Sequence, residues 1–350
     1  MRRFAPCLVA LALASGCAQL GAPPATVESR VRRTDAPRAI VRVSDGARVD
    51  LATLVADLRT VPVTYCGERH DRVEDHRMQN LLLRELSSYD GSTALGMEMF
   101  QRPFQDALDL WSAGRLDEET LRRETEWDTR WGFDFALYRP MLELARSRGL
   151  RVLALNAPKE LSRAVGRGGL ASLDEATRAE LPEMDLEVAE HRAMVMEALG
   201  GHGAMTPEQL QHIYEAQVLW DETMAETVAR VMTAGGGPGH MVVLAGAFHV
   251  QAGLGIPDRA TRRGAGPYRV VLVADDEDAV EALLGTTPRP ADYLGVPRAP
   301  PRAAKPVPPS KTTRRGLGRP RPRASLPHPA PGRPSRCRPR RRRAAGWGAR

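Results

Sequence analysis

A carboxylate and two histidines lie close together near residue 70, directly after an apolar segment. Glu68, His70 and His76 follow a run from Val61 to Cys66, and Gly67 stands between the run and the polar residues. A β-branched run of this length is typical of a buried strand. The three side chains are therefore expected at the mouth of a sheet, where ligands of open α/β proteins bind. Side chains of these types bind divalent metals or perform acid–base chemistry.

Two further polar residues follow apolar runs later in the chain. Glu98 lies within Gly-Met-Glu-Met-Phe, and His249 ends a Gly-Ala-Phe-His turn. An isolated buried carboxylate would be costly, so Glu98 is expected to pair with His70, His76 or an arginine. His249 could bond a backbone carbonyl, but its position after a strand favours a place over the sheet mouth. Glu68 could also cap the next helix, and His76 could lie on a solvated helix face.

The segments around these residues predict an α/β fold with a mainly parallel β-sheet flanked by helices. Strands are predicted over five near-continuous apolar runs, which are Val61 to Cys66, Ala94 to Met99, Arg151 to Leu155, Met241 to Ala245 and Arg269 to Val273. The candidate residues, with Asn156, fall at carboxyl ends of these strands. Chance would scatter polar residues over both edges of a sheet, so this clustering indicates a functional crevice.

The segment between the third and fourth predicted strands contains no strand-like run. It is expected to form a smaller all-helical subdomain over 157–239, inserted into an α/β domain that spans 38–156 and 240–290. Thr206-Pro207-Glu208-Gln209 is typical of a helix start, with Thr206 as the N-cap, and this helix is expected to end near Met232. Weaker helices are predicted over 160–165, 173–181 and 186–199.

The first residues of the chain predict the cellular compartment of the protein. Two arginines, an apolar stretch over 4–14 and Leu-Ala-Ser-Gly-Cys17 are typical of a lipoprotein signal peptide with a lipobox. The stretch is shorter than the roughly 20 residues that cross a bilayer. The mature chain is thus expected to be acylated at Cys17, with 18–37 as a tether, at the outer membrane of a bacterial cell envelope and facing the periplasm. The cysteines indicate no disulfide framework.

The basic charge of the chain is concentrated near its end. Residues 298–350 contain 15 Arg and 2 Lys with no acidic residue, so the net charge of +7 for the whole chain leaves about −10 for the remainder. The acidic remainder is a poor candidate for specific nucleic-acid binding. The segment 297–350 is predicted to be disordered. It either binds anionic partners non-specifically or is an out-of-frame translation of GC-rich DNA, and its composition favours the second interpretation.

Six motifs in order resemble the ChaN-like haem-binding lipoproteins, over about Ile40 to Val273. The motifs are Gly67-Glu68-Arg69-His70-Asp71 with His76, Gly96 to Phe100, Trp127 through Phe133 to Tyr138-Arg139-Pro140, Leu155-Asn156-Ala157-Pro158, Asp221 to Ala225, and Gly246 to Val250 with Gly255-Ile256-Pro257. The resemblance implies the same α/β fold with a helical domain. It also implies a lipid anchor and a role in haem-iron uptake beside an outer-membrane haem receptor.

The resemblance further implies a homodimer that encloses two stacked haems, with each iron bound by a tyrosine and a histidine and a lysine on the propionates. Tyr138 and Tyr214 are then the candidate iron ligands, and Lys159 and His202 are the propionate candidates. A phenolate suits ferric iron, and cations suit carboxylates. Each tyrosine could instead be a half-buried aromatic on a helix.

Other interpretations stay open. The fold is also similar to that of erythromycin esterase-like and Tiki/TraB-type hydrolases, in which case Glu68 and His249 would bind a metal or His70 would act as a general base on water. A third possibility is a lipoprotein scaffold with a vestigial crevice.

Trp127, Trp131 and Phe133 could stack on a porphyrin, although core packing is favoured for Trp131. Asp221 lies on a helix face that is expected to pack, with one polar contact.

Overall fold

The computed structural model describes residues 36–87, 92–199 and 205–298, in which eight strands form one sheet. The strands are β1 (Ala39–Arg42), β2 (Arg48–Val49), β3 (Val63–Glu68), β4 (Thr93–Gln101), β5 (Val152–Asn156), β6 (His240–Gly246), β7 (Tyr268–Val273) and β8 (Tyr293–Val296). Their order is β2-β1-β8-β7-β3-β6-β4-β5. The strands from β3 to β8 are mutually parallel, and β1 is antiparallel to both β2 and β8. The predicted mainly parallel α/β fold is confirmed, and β1, β2 and β8 lie outside the five predicted runs.

Thirteen α-helices lie within the described residues. They are α1 (Leu51–Leu58), α2 (Val73–Leu86), α3 (Gln105–Ser112), α4 (Glu118–Glu124), α5 (Trp127–Arg130), α6 (Arg139–Ser147), α7 (Lys159–Gly168), α8 (Glu175–Ala179), α9 (Ala189–Leu199), α10 (Pro207–Met232), α11 (Ala247–Val250), α12 (Ile256–Arg262) and α13 (Glu277–Leu284). Short 3₁₀ turns over Arg102–Phe104, Phe135–Leu137, Leu170–Ser172 and Gln251–Gly253 join several of them. No helix in this part of the chain is long and apolar enough to cross a membrane.

Helices cover both faces of the sheet. On one face Leu81 and Leu82 of α2 pack with Leu142 of α6, and on the other Val228 of α10 packs with Ile256 of α12. Every residue of β3 and β6 is buried, which explains why these strands appear in the sequence as continuous apolar runs. Complete burial of each such leucine, isoleucine or valine side chain contributes about 1.5–3 kcal/mol.

The long helix α10 connects the helical segment to the sheet. It begins with a capping box, in which the Thr206 hydroxyl accepts from the Gln209 amide at 3.2 Å and the Gln209 side chain accepts from the Thr206 amide at 2.9 Å. Its predicted start and end are confirmed. The first half of α10 packs against α7 through Ala216, and the second half packs on the sheet through Met224. Side chains near its middle therefore reach the edge of the sheet.

The predicted signal peptide with Cys17, most of the tether and nearly all of the basic segment lie outside the described residues. Residues 157–199 and 205–239 contain helices and no strand. The division into an α/β domain and a helical subdomain stays a prediction.

Candidate functional site

A cavity of about 480 Å³ lies at the carboxyl ends of β4, β5 and β6. Its volume is within the roughly 300–1,000 Å³ range of small-molecule and cofactor sites. The residues that line it and that matter for its chemistry are His70, Glu98, Met99, Trp131, Asn156, Lys159, Trp220 and His249. The structure therefore brings together six residues that the sequence singled out, namely His70, Glu98, Trp131, Asn156, Lys159 and His249.

Glu68 lies just beneath this cavity, at the end of β3. Its Oε1 accepts from the Tyr138 hydroxyl at 2.5 Å and from His70 Nδ1 at 2.9 Å, and its Oε2 accepts from Gln79 Nε2 at 2.7 Å. Gly67 permits this arrangement, because a Cβ there would lie 2.3 Å from Leu272 Cδ2. Glu68 is thus a buried hydrogen-bond centre, which explains why it does not cap the next helix.

His70 is the solvent-facing partner in this group. Its ring lies against Trp131, with 4.7 Å between ring centroids, and against Phe133 at 5.0 Å. Burial works to lower the pKa of His70, but the hydrogen bond to Glu68 and the charge of Glu98 outweigh it and raise that pKa above its ordinary value. A carboxylate on Nδ1 orients the ring, as it does in general-base histidines and in metal-ligating histidines.

His76 supports His70 from α2. Its Nε2 lies 3.1 Å from the His70 carbonyl oxygen, and its Nδ1 lies 3.0 Å from Gln79 Oε1. The ring is buried, so the alternative of a solvated helix face is wrong. His76 is not among the residues that line the cavity, and its contacts indicate that it positions the loop that carries His70.

Glu98 pairs with His249, and not with the residues that the sequence suggested. Glu98 Oε1 is 3.3 Å from His249 Nε2, and its Oε2 accepts from the Gly246 amide at 2.6 Å. The expected pairing with His70, His76 or an arginine was wrong. Strand β6 lies between β3 and β4, so the turn after β6 is the nearest neighbour of Glu98.

A second carboxylate binds the other side of His249. Asp221 Oδ1 of α10 accepts from His249 Nδ1 at 2.6 Å. Burial works to lower the pKa of His249, but Glu98 and Asp221 outweigh it and raise that pKa well above its ordinary value. Burial works in the opposite direction on Asp221, yet the charge of His249 and the His191 contact lower its pKa to about 2. Both ring nitrogens of His249 are therefore engaged by carboxylates.

The elevated pKa of His249 predicts how stability depends on pH. The His249 imidazole holds its proton more tightly in the folded state than in the unfolded state. Protonated His249 therefore contributes fully to the free energy of unfolding below about pH 6.5, and this contribution is lost as the pH rises through the folded-state pKa. We expect the free energy of unfolding to fall from neutral to alkaline pH, and to fall less in His249→Asn. Urea unfolding at a series of pH values measures this, with His212→Asn as the control. An equal alkaline decrease in His249→Asn would contradict the prediction.

The polar contacts continue from Asp221 through the interior. Asp221 Oδ2 is 3.0 Å from His191 Nε2, and His191 Nδ1 accepts from Arg259 Nη2 at 3.2 Å. Arg259 in turn donates to Glu222, which is fully buried. Sequence reasoning missed this network, since it treated Asp221 as one polar contact on a packed face. Several arginines at helical spacing in α12, facing an Asp-Glu pair in α10, are the signal that could have revealed it.

Neither candidate tyrosine faces the cavity. The Tyr138 hydroxyl bonds Glu68, and burial, with the neighbouring Glu68 charge, raises its pKa. The Tyr214 hydroxyl donates to the Leu186 carbonyl at 3.2 Å, and burial raises its pKa as well. An iron-ligating phenolate must lose its proton and reach the metal. As placed, neither tyrosine fits that requirement, and the assignment of either as a ligand stays a prediction.

Of the other residues that the sequence proposed for haem binding, some line the cavity and others do not. Lys159 lines the cavity, although its Nζ donates to the Thr129 carbonyl at 2.6 Å. His202 lies outside the described residues. Trp131 lines the cavity as well as packing on the core, while Trp127 is the fully buried one.

The predicted metal pair is not assembled. Glu68 and His249 each bond other residues, and within 36–87, 92–199 and 205–298 no group of three or more His, Cys, Asp and Glu could hold a metal ion.

The fold and this site define a class: an α/β protein with a mainly parallel sheet and carboxylate–histidine pairs around a cavity at its carboxyl edge. A family model described as haem-binding uptake, Tiki superfamily, ChaN, matches residues 54–260. The chain belongs to this ChaN family of haem-binding proteins. The match includes every residue discussed above as lining the cavity.

Three individual proteins are similar to this chain, and one of them, a solved ChaN structure, has the same fold. The structure of ChaN from Campylobacter jejuni with cofacially bound haem is 19% identical, with a TM-score of 0.57, and covers 73% of this chain and 95% of that one. The Arabidopsis thaliana chloroplast protein RETICULATA-RELATED 5 is 26% identical over 251 residues, which are 66% of this chain. The chain spans about a third of the length of that plant relative. An erythromycin esterase structure, EreC, is 13% identical, with a TM-score of 0.41, and covers 67% of this chain and 77% of that one.

Proposed function

We propose that this chain binds haem in the cavity at the carboxyl edge of the sheet and handles haem in the bacterial cell envelope. The observation that carries the proposal is the ChaN family match, which includes both the sheet edge and the helices that close the cavity. It favours haem binding over the metal-dependent or His/Glu-based hydrolase that the polar residues suggested by themselves.

The walls of the cavity suit a flat, apolar ligand that carries negative groups. Trp131 and Trp220 supply aromatic surface, and Met99 supplies a soft apolar contact. Lys159 and Arg163 add cationic groups, which suit carboxylates such as haem propionates. When bound, haem would bring a ferric ion that a side chain of the protein could hold.

We also propose that the chain forms a homodimer and is anchored by lipid in the cell envelope. The Campylobacter jejuni relative binds haem cofacially, which supports a homodimer with stacked haems for this chain. The lipobox supports a lipid anchor at Cys17 and an outer-membrane location facing the periplasm. A lipid-tethered carrier there would pass haem to or from an outer-membrane receptor system.

Titration of the purified chain with haemin tests the proposal. We expect a saturable, shifted Soret absorbance band, and size-exclusion chromatography of the saturated sample should show a dimer. A band that keeps growing without saturation would mean non-specific association, and would overturn haem binding. Saturable binding by a monomer would overturn the homodimer and leave haem binding in place.

A further inference from the structure

We infer that a second cavity, near the amino ends of β4 and β5, binds a small organic phosphate, meaning a phosphomonoester with an apolar body. This cavity has a volume of about 1020 Å³ and lies beside the end of α10. It shares no lining residue with the cavity proposed for haem. The inference is therefore independent of the proposed haem-binding function.

Arginine side chains dominate the charge of this second cavity. Arg102, Arg151 and Arg230 line it, and Glu226 is the one acidic residue among the described residues that do so. Three positive charges and one negative charge give a net charge of +2. The end of α10 adds a partial negative charge of about half a unit, which reduces this positive charge without cancelling it. A phosphomonoester carries about −1.5 to −2 at pH 7, so its charge matches that of the cavity.

The partly buried arginine of the group lies close to another positive charge. Arg102 donates to Glu226 Oε2 at 2.8 Å and to Thr227 Oγ1 at 2.7 Å, and these contacts hold its guanidinium against α10. Burial lowers the pKa of Arg102, and the charge of Arg230 works in the same direction. The two guanidiniums therefore repel each other, and a bound dianion beside them would offset that repulsion.

The other two arginines have donors available for a ligand. Arg230 is exposed and makes no hydrogen bond or ion pair with another residue of the described part of the chain. Arg151 contacts Asp109 at 3.3 and 3.4 Å, and its side chain is 56% exposed. An exposed pair of this kind contributes little to stability, so Arg151 can exchange it for a ligand. Guanidiniums form paired hydrogen bonds with phosphate oxygens, and a phosphate has enough oxygens for both arginines.

The same cavity has apolar walls and an open side. Ala94 and Leu153 of the sheet line it, as does Val231 of α10. Gly235 and Gly236 follow α10 along the wall, and a Cβ at either position would meet no atom within 4 Å. A cavity of this size with apolar walls is typical of sites for organic molecules, and inorganic phosphate would leave most of it empty. The ligand should therefore carry an apolar group beside its phosphate.

Isothermal titration calorimetry of the full chain tests the inference, with phenyl phosphate as the probe and with inorganic phosphate and benzoate for comparison. We expect saturable binding of phenyl phosphate and weaker binding of the other two. Arg230→Gln and Arg151→Gln should each weaken it roughly tenfold or more, since each removes charge-assisted hydrogen bonds. Arg115→Gln is the matched control, because Arg115 is exposed and does not line this cavity.

The possible results decide the inference. Absence of saturable phenyl phosphate binding by the wild-type chain, or unchanged binding in Arg230→Gln and Arg151→Gln, would overturn the site. Equal affinity for benzoate would overturn the choice of phosphate, and equal affinity for inorganic phosphate would overturn the apolar group. Haemin affinity should be unchanged in both variants, so failure of this inference would leave haem binding in place.

A vesicle experiment separates the two sources of such a phosphate. Sedimentation with phosphatidylcholine vesicles is compared in the presence and absence of phosphatidic acid, whose headgroup is a phosphomonoester. Binding that requires both phosphatidic acid and Arg230 would support the site with a lipid headgroup as its ligand. Binding of phenyl phosphate without any dependence on phosphatidic acid would support the site with a soluble ligand.

Discussion

Glu222→Gln should lower the free energy of unfolding by about 3–5 kcal/mol, the usual effect of removing one partner from a buried ion pair. Glu222 is fully buried, and its carboxylate accepts from Arg259, from Arg262 at 3.1 Å and from Arg263 at 2.6 Å. It also accepts from the Asp185 amide at 3.1 Å. Glutamine has nearly the same shape but no charge, so the buried guanidinium of Arg259 would lose its counter-ion.

Urea unfolding measures the loss in free energy of unfolding for Glu222→Gln and for the control variant Glu226→Gln. Glu226 lies one turn further along α10 and pairs with Arg102 at 2.8 Å, but its side chain is 41% exposed. Replacement of this partly solvated carboxylate should cost no more than about 1 kcal/mol. Similar small losses in both variants would mean that the Glu222 network contributes little to stability.

Glu68→Gln should weaken haem binding roughly 10–100-fold, which is the typical cost of losing an outer-shell partner, because Glu68 orients the His70 ring that lines the cavity. The amide oxygen of glutamine can still accept from Tyr138. The same oxygen would also accept from His70 Nδ1, so the NH₂ group would replace Oε2 and face the Gln79 Nε2 donor. This contact between two donors should displace the side chain at position 68 and, with it, the His70 ring that lines the cavity.

The glutamine variant is preferred to Glu68→Ala. Alanine would leave the Tyr138 hydroxyl and the Gln79 amide without their acceptor, at a cost of about 1–3 kcal/mol for each buried donor. Loss of fold could then be mistaken for loss of binding.

Haemin titration followed by absorbance measures the affinity, and Glu208→Gln, at an exposed position of α10, is the control. Wild-type affinity in Glu68→Gln, with an unchanged spectrum, would argue against a role for the Glu68–His70 pair.

The sequence by itself determined most of the strands and helices, and the edge of the sheet at which the site lies. Five of the strands were predicted, because strands buried on both faces need apolar residues at every position and so leave a local signal. The signals for the two ends of α10 were equally local, since the capping box at Thr206 and the run Gly235-Gly236-Gly237 after Met232 involve only neighbouring residues. Polar residues after successive parallel strands then placed a cavity at the carboxyl edge.

Only the tertiary structure decided which side chains bond one another there. His249 meets Glu98 because β6 lies between β3 and β4, and this order is set by long-range strand pairing. Asp221 reaches His249 from 28 residues away, and the Tyr138 hydroxyl reaches Glu68 from 70 residues away. Such contacts leave no periodic pattern in the chain, because they depend on strand order and helix packing. For the same reason the sequence proposed Tyr138 as an iron ligand, whereas the fold places its hydroxyl on Glu68, beneath the cavity that His70 lines.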